Sequence, residues 1–391
     1  MNNLPEEIIC HIMSYLENTI DVINFSLSNK YYRNLIIQNR EIFNCISKFN
    51  IKLIDKIDKL NIIGKIKINL NYSDISYISI IPNVIELDLF CCDNLDDVSN
   101  LGNVEKLNLS YCENIKDVSK LGNVKKLNLF RCTLIKDVSM LGNCQELNLS
   151  YCINVRNVGM LGNVKKLNLS HCNLIKDVSN LVNCEELNLS NCYNIKDVSM
   201  LGNVNKLNLS NCYNIRDVSN LGNCEELDLS YCENITDFSM LGNVNKLNLS
   251  NCKHITDVSK LGNVKKLNLS WCEEIIDVSN LKNCIELNLS GCENITDLSM
   301  LGNVKKLNLS YCRKIKYVSM LGNCEELNLS YCDKITDVSM LGNVRKLNLS
   351  YCYGVKYVSM LKNCEKLILS GCKNISDVNM VKYISDLWRF F

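Results

Sequence analysis

Residues 101–120 read LGNVEKLNLSYCENIKDVSK, and this twenty-residue phrase returns fifteen times in register between Ile81 and Met380, with no insertion or deletion. A strict period of that length is the signature of a solenoid, in which each repeat packs only on its neighbours. Counting Leu101 as position 1, the apolar residues are Leu101, Val104, Leu107, Leu109, Cys112, Ile115 and Val118. Seven apolar side chains in a single repeat cannot bury themselves, so stacking of successive coils must provide the core.

Positions 6–10, Lys106-Leu107-Asn108-Leu109-Ser110, alternate as a half-buried strand does. Positions 7 and 9, leucine in all fifteen repeats, are expected to face the core, and positions 6, 8 and 10 to face solvent. Position 2 is usually glycine and position 3 always asparagine, two residue types that tolerate a positive φ on entry to the strand. On the return side, Asp117-Val118-Ser119 is suited to capping one tight turn through the aspartate. Twenty residues leave no room for an α-helix behind the strand. The fold expected is an α/β solenoid with a parallel sheet on its concave face and a helix-poor convex side.

The chain holds 24 cysteines. Fifteen stand at position 12, from Cys92 to Cys372, and six at position 4, where the other nine repeats hold valine. A site shared by cysteine and valine is a small buried apolar site, and free cysteine packs as a small hydrophobe. Side chains pointing inward in parallel do not pair well as disulfides, and the position-12 thiol is placed to donate weakly to a backbone carbonyl of the turn. A structural ladder is favoured over metal or redox chemistry. The sequon Asn108-Leu109-Ser110 recurs in eleven repeats, and glycans there would obstruct the sheet. Together with the cysteines it points to a reducing compartment, the cytoplasm or the nucleus.

Net charge is +1 and no apolar run is long enough to span a bilayer, so no general attraction to nucleic acid or membrane is expected. The first residues, MNNLPEEIICHIM, do not read as a signal peptide. Position 6 tends to alternate in sign, as in Glu146, Lys166, Glu186, Lys206, Glu226 and Lys246, which predicts a self-neutralising ladder across the strands. The three histidines (His11, His171, His254) have no partners at catalytic spacing, and no metal, phosphate or nucleotide motif is present. Neither an enzyme nor a cofactor is expected.

Four regions follow: a helical segment at 1–40, a linker helix and degenerate capping repeat at 41–80, the array at 81–380, and a C-terminal cap at 381–391. In the capping repeat, Ile68, Leu70 and Ile75 fall roughly in register; the C-terminal cap is read from Val381, Ile384, Leu387 and Trp388. Residues 1–40 break the repeat and read as three short helices, the first with Pro5 at its start. Forty residues form too small a core to be very stable alone, which favours docking.

The motif L-x-x-[VC]-x-x-L-x-L-x-x-C-x-x-I resembles the leucine-rich repeat in its cysteine-containing variant, shortened from the usual length of about 26 residues. The run from Leu4 to Leu35, with Leu4-Pro5-x-Glu7, Ile12-x-Ser14-x-Leu16 and a basic-aromatic close at Lys30-Tyr31-Tyr32-Arg33, resembles an F-box. The combined resemblance implies a non-catalytic substrate-recognition subunit of a Skp/cullin/F-box ubiquitin ligase. A Skp-type adaptor, and through it a cullin, would sit on apolar positions among Leu4, Pro5, Ile8, Ile9, Ile12 and Leu16, and the repeats would hold a target protein. The alternative is an interaction scaffold without the ligase.

For the partner, the residues singled out lie at position 11, just beyond the strand: Tyr111, Tyr151, Tyr231, Trp271, Tyr311, Tyr331 and Tyr351. Large aromatics bury much area at small entropic loss and recur at binding hot spots. Trp271 lies between Asn251 and Gly291 and is expected to stand alone as an anchor, whereas Tyr311, Tyr331 and Tyr351 suit a stacked brace equally well.

Overall fold

The structure, a computed structural model, describes residues 66–72, 76, 78 and 84–377. The F-box-like segment with Leu4, Pro5, Ile8, Ile9, Ile12 and Leu16, and the C-terminal cap with Val381, Ile384, Leu387 and Trp388, lie outside the described residues, as does Ile75. The chain divides into two compact units at Cys184/Glu185.

In the first unit, strands Ile66–Asn69, Val84–Asp88, Lys106–Asn108, Lys126–Asn128, Glu146–Asn148 and Lys166–Asn168 pair in parallel, each with the next. In the second, ten strands from Glu186–Asn188 to Lys366–Ile368 do the same, with Leu247 opposite Leu227 and Leu267. The strand Ile66–Asn69 is offset by one residue, so that Ile68 faces Leu87, with a register shift between Ile66 and Lys67.

The strand proper covers only positions 6–8. All seven apolar positions are buried, as in Leu221, Cys224, Leu227, Leu229, Cys232 and Ile235, with Phe238 in place of the usual valine. Return turns are single 3₁₀ turns such as Ser119–Leu121 and Ser259–Leu261, the tight form that fits so short a repeat. Asp117 Oδ1 accepts the Ser119 N–H at 2.8 Å, and this bond holds the carboxyl below its usual range.

Two expectations are corrected by the coils. Position 10 does not face solvent: Ser110, Ser150 and Ser230 are buried. The chain is already turning there, and the side chain at position 8 accepts the N–H two residues on, as Asn148 Oδ1 does from Ser150 at 3.1 Å. Nor does the position-2 glycine serve a positive φ, since Gly122 has φ −62°. It serves close approach instead, because a Cβ on Gly122 would lie 2.4 Å from the Met140 carbonyl oxygen of the following turn. Positive φ is found at position 11, from Tyr111 at 64° to Tyr351 at 58°.

Candidate partner-binding edge

Two polar ladders run along the strand face. At position 8 the asparagine amide donates to the coil before it: Asn148 Nδ2 to Asn128 Oδ1 at 3.0 Å, and Asn268 Nδ2 to Asn248 Oδ1 at 2.9 Å. Asp88 and Asp228, which only accept, receive from Asn108 and Asn248. At position 6 the alternating charges meet as expected. Glu226 lies 3.2 Å from Lys206 and 3.0 Å from Lys246, and Glu286 lies between Lys266 and Lys306 at 3.2 and 3.3 Å. Those lysines hold the Glu226 carboxyl below its usual range. The strand face therefore satisfies itself and offers little uncompensated charge.

Beneath it runs the cysteine ladder. The position-12 thiol donates to the position-9 carbonyl of the preceding coil: Cys112 Sγ to Leu89 O at 3.1 Å, Cys232 Sγ to Leu209 O at 3.2 Å and Cys352 Sγ to Leu329 O at 3.0 Å. All 22 cysteines among the described residues are free thiols. Burial pushes Cys132, Cys212, Cys252 and Cys272 up to about 12, which makes them poor nucleophiles. No group of three or more metal-ligating side chains is assembled among the described residues.

The aromatic residues lie along the edge where each strand ends. Position 11 adopts the left-handed conformation in every described coil of the array, including Asn191, Asn211, Asn251, Gly291 and Gly371. Asparagine and glycine take this conformation readily, whereas for a bulky side chain it costs about 1–2 kcal/mol. Stacking between rings contributes about 0.5–1.5 kcal/mol per pair and offsets that cost where neighbours exist. Tyr311, Tyr331 and Tyr351 stack at centroid distances of 4.4 and 4.5 Å, nearly parallel. In the first unit, Tyr72, Phe90, Tyr111, Phe130 and Tyr151 form an edge-to-face zigzag at 5.1–5.4 Å. His171 stacks on Tyr151 at 4.0 Å, and partial burial lowers its pKa. The Arg131 guanidinium lies 5.2 Å from the Tyr111 ring centre.

Trp271 does not stand alone. Its ring lies across Gly291, where a Cβ would come within 2.6 Å of it, and reaches Tyr311 at 5.8 Å. Glycine at 291 thus extends the tyrosine stack by one more aromatic instead of isolating it. At position 11 the aromatic without a ring partner among the described residues is Tyr231, 44% exposed between Asn211 and Asn251. Tyr193 and Tyr213, at position 13, stack on each other at 5.5 Å, with hydroxyls 3.3 and 3.1 Å from the Asn191 and Asn211 side chains. Sequence reasoning passed over this pair. Its signal was tyrosine at position 13 in two successive coils whose position 11 is asparagine.

No family model matches this chain, and no curated protein matches it. Solved structures do. An internalin, InlF, from Listeria monocytogenes is 18% identical over 91% of this chain and 94% of its own, with a TM-score of 0.45. A leucine-rich-repeat protein of Leptospira interrogans is 18% identical over 88% and 94%, with a TM-score of 0.47. TLR13, solved in complex with ssRNA13, is 20% identical over 84% of this chain and 66% of its own, with a TM-score of 0.54. At these identities the shared property is the fold, a leucine-rich-repeat solenoid.

Proposed function

We propose that the array is a non-catalytic binding module that captures a protein along its position-11 edge. The observation that carries this reading is Tyr231. A tyrosine is held there in the left-handed conformation at φ 60°, with no ring beside it among the described residues to offset the backbone cost. A strained, exposed aromatic with no ring neighbour to offset the strain points to a contact made with something else. In the same unit Trp271, Tyr311, Tyr331 and Tyr351 lie at the same position and supply the remaining contact area, and Tyr111 and Tyr151 hold that position in the first unit. The test replaces Tyr231 by asparagine, the residue this chain itself uses at 191, 211 and 251. The variant should melt no lower than the parent, yet hold its partner, identified by mass spectrometry after affinity capture, at least fivefold more weakly. Equal affinity would refute the assignment.

A finer reading is supported by the ungapped F-box-like run from Leu4 to Leu35. In it the chain is the substrate receptor of a Skp/cullin-type ubiquitin ligase in the cytoplasm or nucleus. Residues 1–40 engage the adaptor through positions among Leu4, Pro5, Ile8, Ile9, Ile12 and Leu16. A purified Skp-type adaptor should bind the full chain and not residues 41–391. If it binds neither, the chain is the scaffold without the ligase.

A further inference from the structure

We propose that the convex side of the coils from Met300 to Lys362 is a second docking surface, and that its occupant is an acidic amphipathic helix of a partner protein. Position 20 lies in the return turn, a 3₁₀ turn at Met320, Met340 and Met360 and a plain hydrogen-bonded turn at Met300. Methionine fills it without interruption at Met300, Met320, Met340 and Met360, whereas elsewhere in the described coils asparagine or lysine breaks the row after at most two methionines. Met340 and Met360 are each 62% exposed and Met300 44%.

Position 17 changes in the same coils. It is the aspartate that accepts the serine N–H of the turn in the other described coils, save for Asn157, yet it is tyrosine at Tyr317 and Tyr357, 75% and 69% exposed. The turn after Tyr357 is capped instead from the next coil, where Asp377 accepts the N–H groups of Val358 and Ser359, both at 2.8 Å. The local cap is thus given up and rebuilt from elsewhere, leaving a large aromatic on the surface.

Charge completes the pattern. Lys314, Lys316, Lys334, Lys356 and Lys362 are exposed in these coils, and none makes an ion pair among the described residues; Lys314 donates to the Asn294 side-chain oxygen, which is uncharged. The acids at position 17 of these coils, Asp297, Asp337 and Asp377, are engaged with backbone N–H groups. On the strand side of the same coils, by contrast, Lys306 and Lys346 are matched by Glu286 and Glu326 at 3.3 and 2.8 Å. The same array that neutralises its strand face leaves this patch apolar and basic.

Spacing selects the shape of the occupant. Coils succeed one another about every 4.8 Å, and the apolar stripe of a helix returns every 3.5 residues, about 5.3 Å. Each methionine therefore meets one turn of a helix lying along the row, and unbranched methionines adapt to the small mismatch. Glutamates flanking that stripe would reach the unmatched lysines. Residues 378–391 are not the complement, because they carry Lys382 and Arg389 against the single acid Asp386.

The test uses the full chain and a labelled eighteen-residue peptide with leucines on one helical stripe and glutamates elsewhere, read by fluorescence anisotropy. A twin peptide carries lysines in place of the glutamates. The variant Tyr317→Asp/Met320→Asn/Met340→Asn/Tyr357→Asp uses only residues that other coils hold at the same positions, and Met340→Asn alone serves as a second variant should the fourfold one melt early. The acidic peptide should bind, its lysine twin at least tenfold more weakly, and the fourfold variant should lose at least tenfold. The proposal falls if the acidic peptide fails to bind, if the twins bind alike, or if neither variant weakens binding. It falls equally if phosphatidylserine vesicles bind through this patch and the peptide does not, since the surface would then be a membrane contact.

Discussion

Raising the pH above 9 should unfold the array through its buried thiols. The second unit holds thirteen buried cysteines among the described residues, and burial holds Cys224 at about 11 and Cys212, Cys252, Cys272 and Cys332 at about 12, against an ordinary 9.0. The folded pKa is raised, so the thiols' contribution is fully present below pH 9 and is lost as the pH rises toward 11 to 12. In that window the unfolded chain releases protons that the folded chain retains. At pH 10 each thiol shifts the balance toward unfolding by about 1.4 kcal/mol. Burial raises twelve of the thirteen in this way, and together they amount to about 17 kcal/mol, more than the whole stability of a typical domain. Far-ultraviolet circular dichroism against pH should show a steep transition near pH 10. Lysine deprotonation in the ion-pair ladder acts in the same direction, and a control separates the two. Replacing Cys224, Cys284, Cys324 and Cys364 by valine, the residue nine other coils hold at that position, leaves the lysines untouched. It should raise the midpoint by about 0.5 pH units. A midpoint unmoved by the four valines, or an array intact at pH 11, would refute the reasoning.

Cys232→Ala should lower stability by about 1–3 kcal/mol in a denaturant melt, since it opens a small cavity and strips the Leu209 carbonyl of its thiol donor. Gly291→Ala strains a backbone at φ 74° and drives a methyl group into the Trp271 ring. It should lose about 2 kcal/mol and shift tryptophan emission to the red. Trp271→Ala should lower the melting temperature because the ring braces Gly291 and Tyr311, whereas Tyr231→Asn should not. Deleting residues 1–40 should leave the strand signal of the array in circular dichroism unchanged, because the coils from 84 to 377 bury their apolar positions against one another.

The sequence alone determined the core and the strand of each coil. Seven apolar positions in twenty residues name the core side chains, the leucine pair at 7 and 9 names the strand, and the exchange of cysteine for valine names a dry apolar site. These are consequences of local periodicity, and the coils bury each of those positions as read. The alternating charges at position 6 were legible for the same reason, because in-register stacking turns a sequence offset of twenty into a strand neighbour.

What the tertiary structure decided concerns groups meeting at offsets the period does not print. The bend at the strand end buries the position-10 serine and sends position 11 into the left-handed region, which alternation along a strand cannot foretell. The carbonyl that requires glycine at position 2 lies eighteen residues on, in the next turn. Trp271 finds its neighbour forty residues away across a glycine, so the residue that seemed to isolate it is the one that lets it stack. The candidate site shifted with that contact, from Trp271 to Tyr231. A side chain's role at a binding edge depends on which neighbours cover it, and that is fixed only when the coils close on one another.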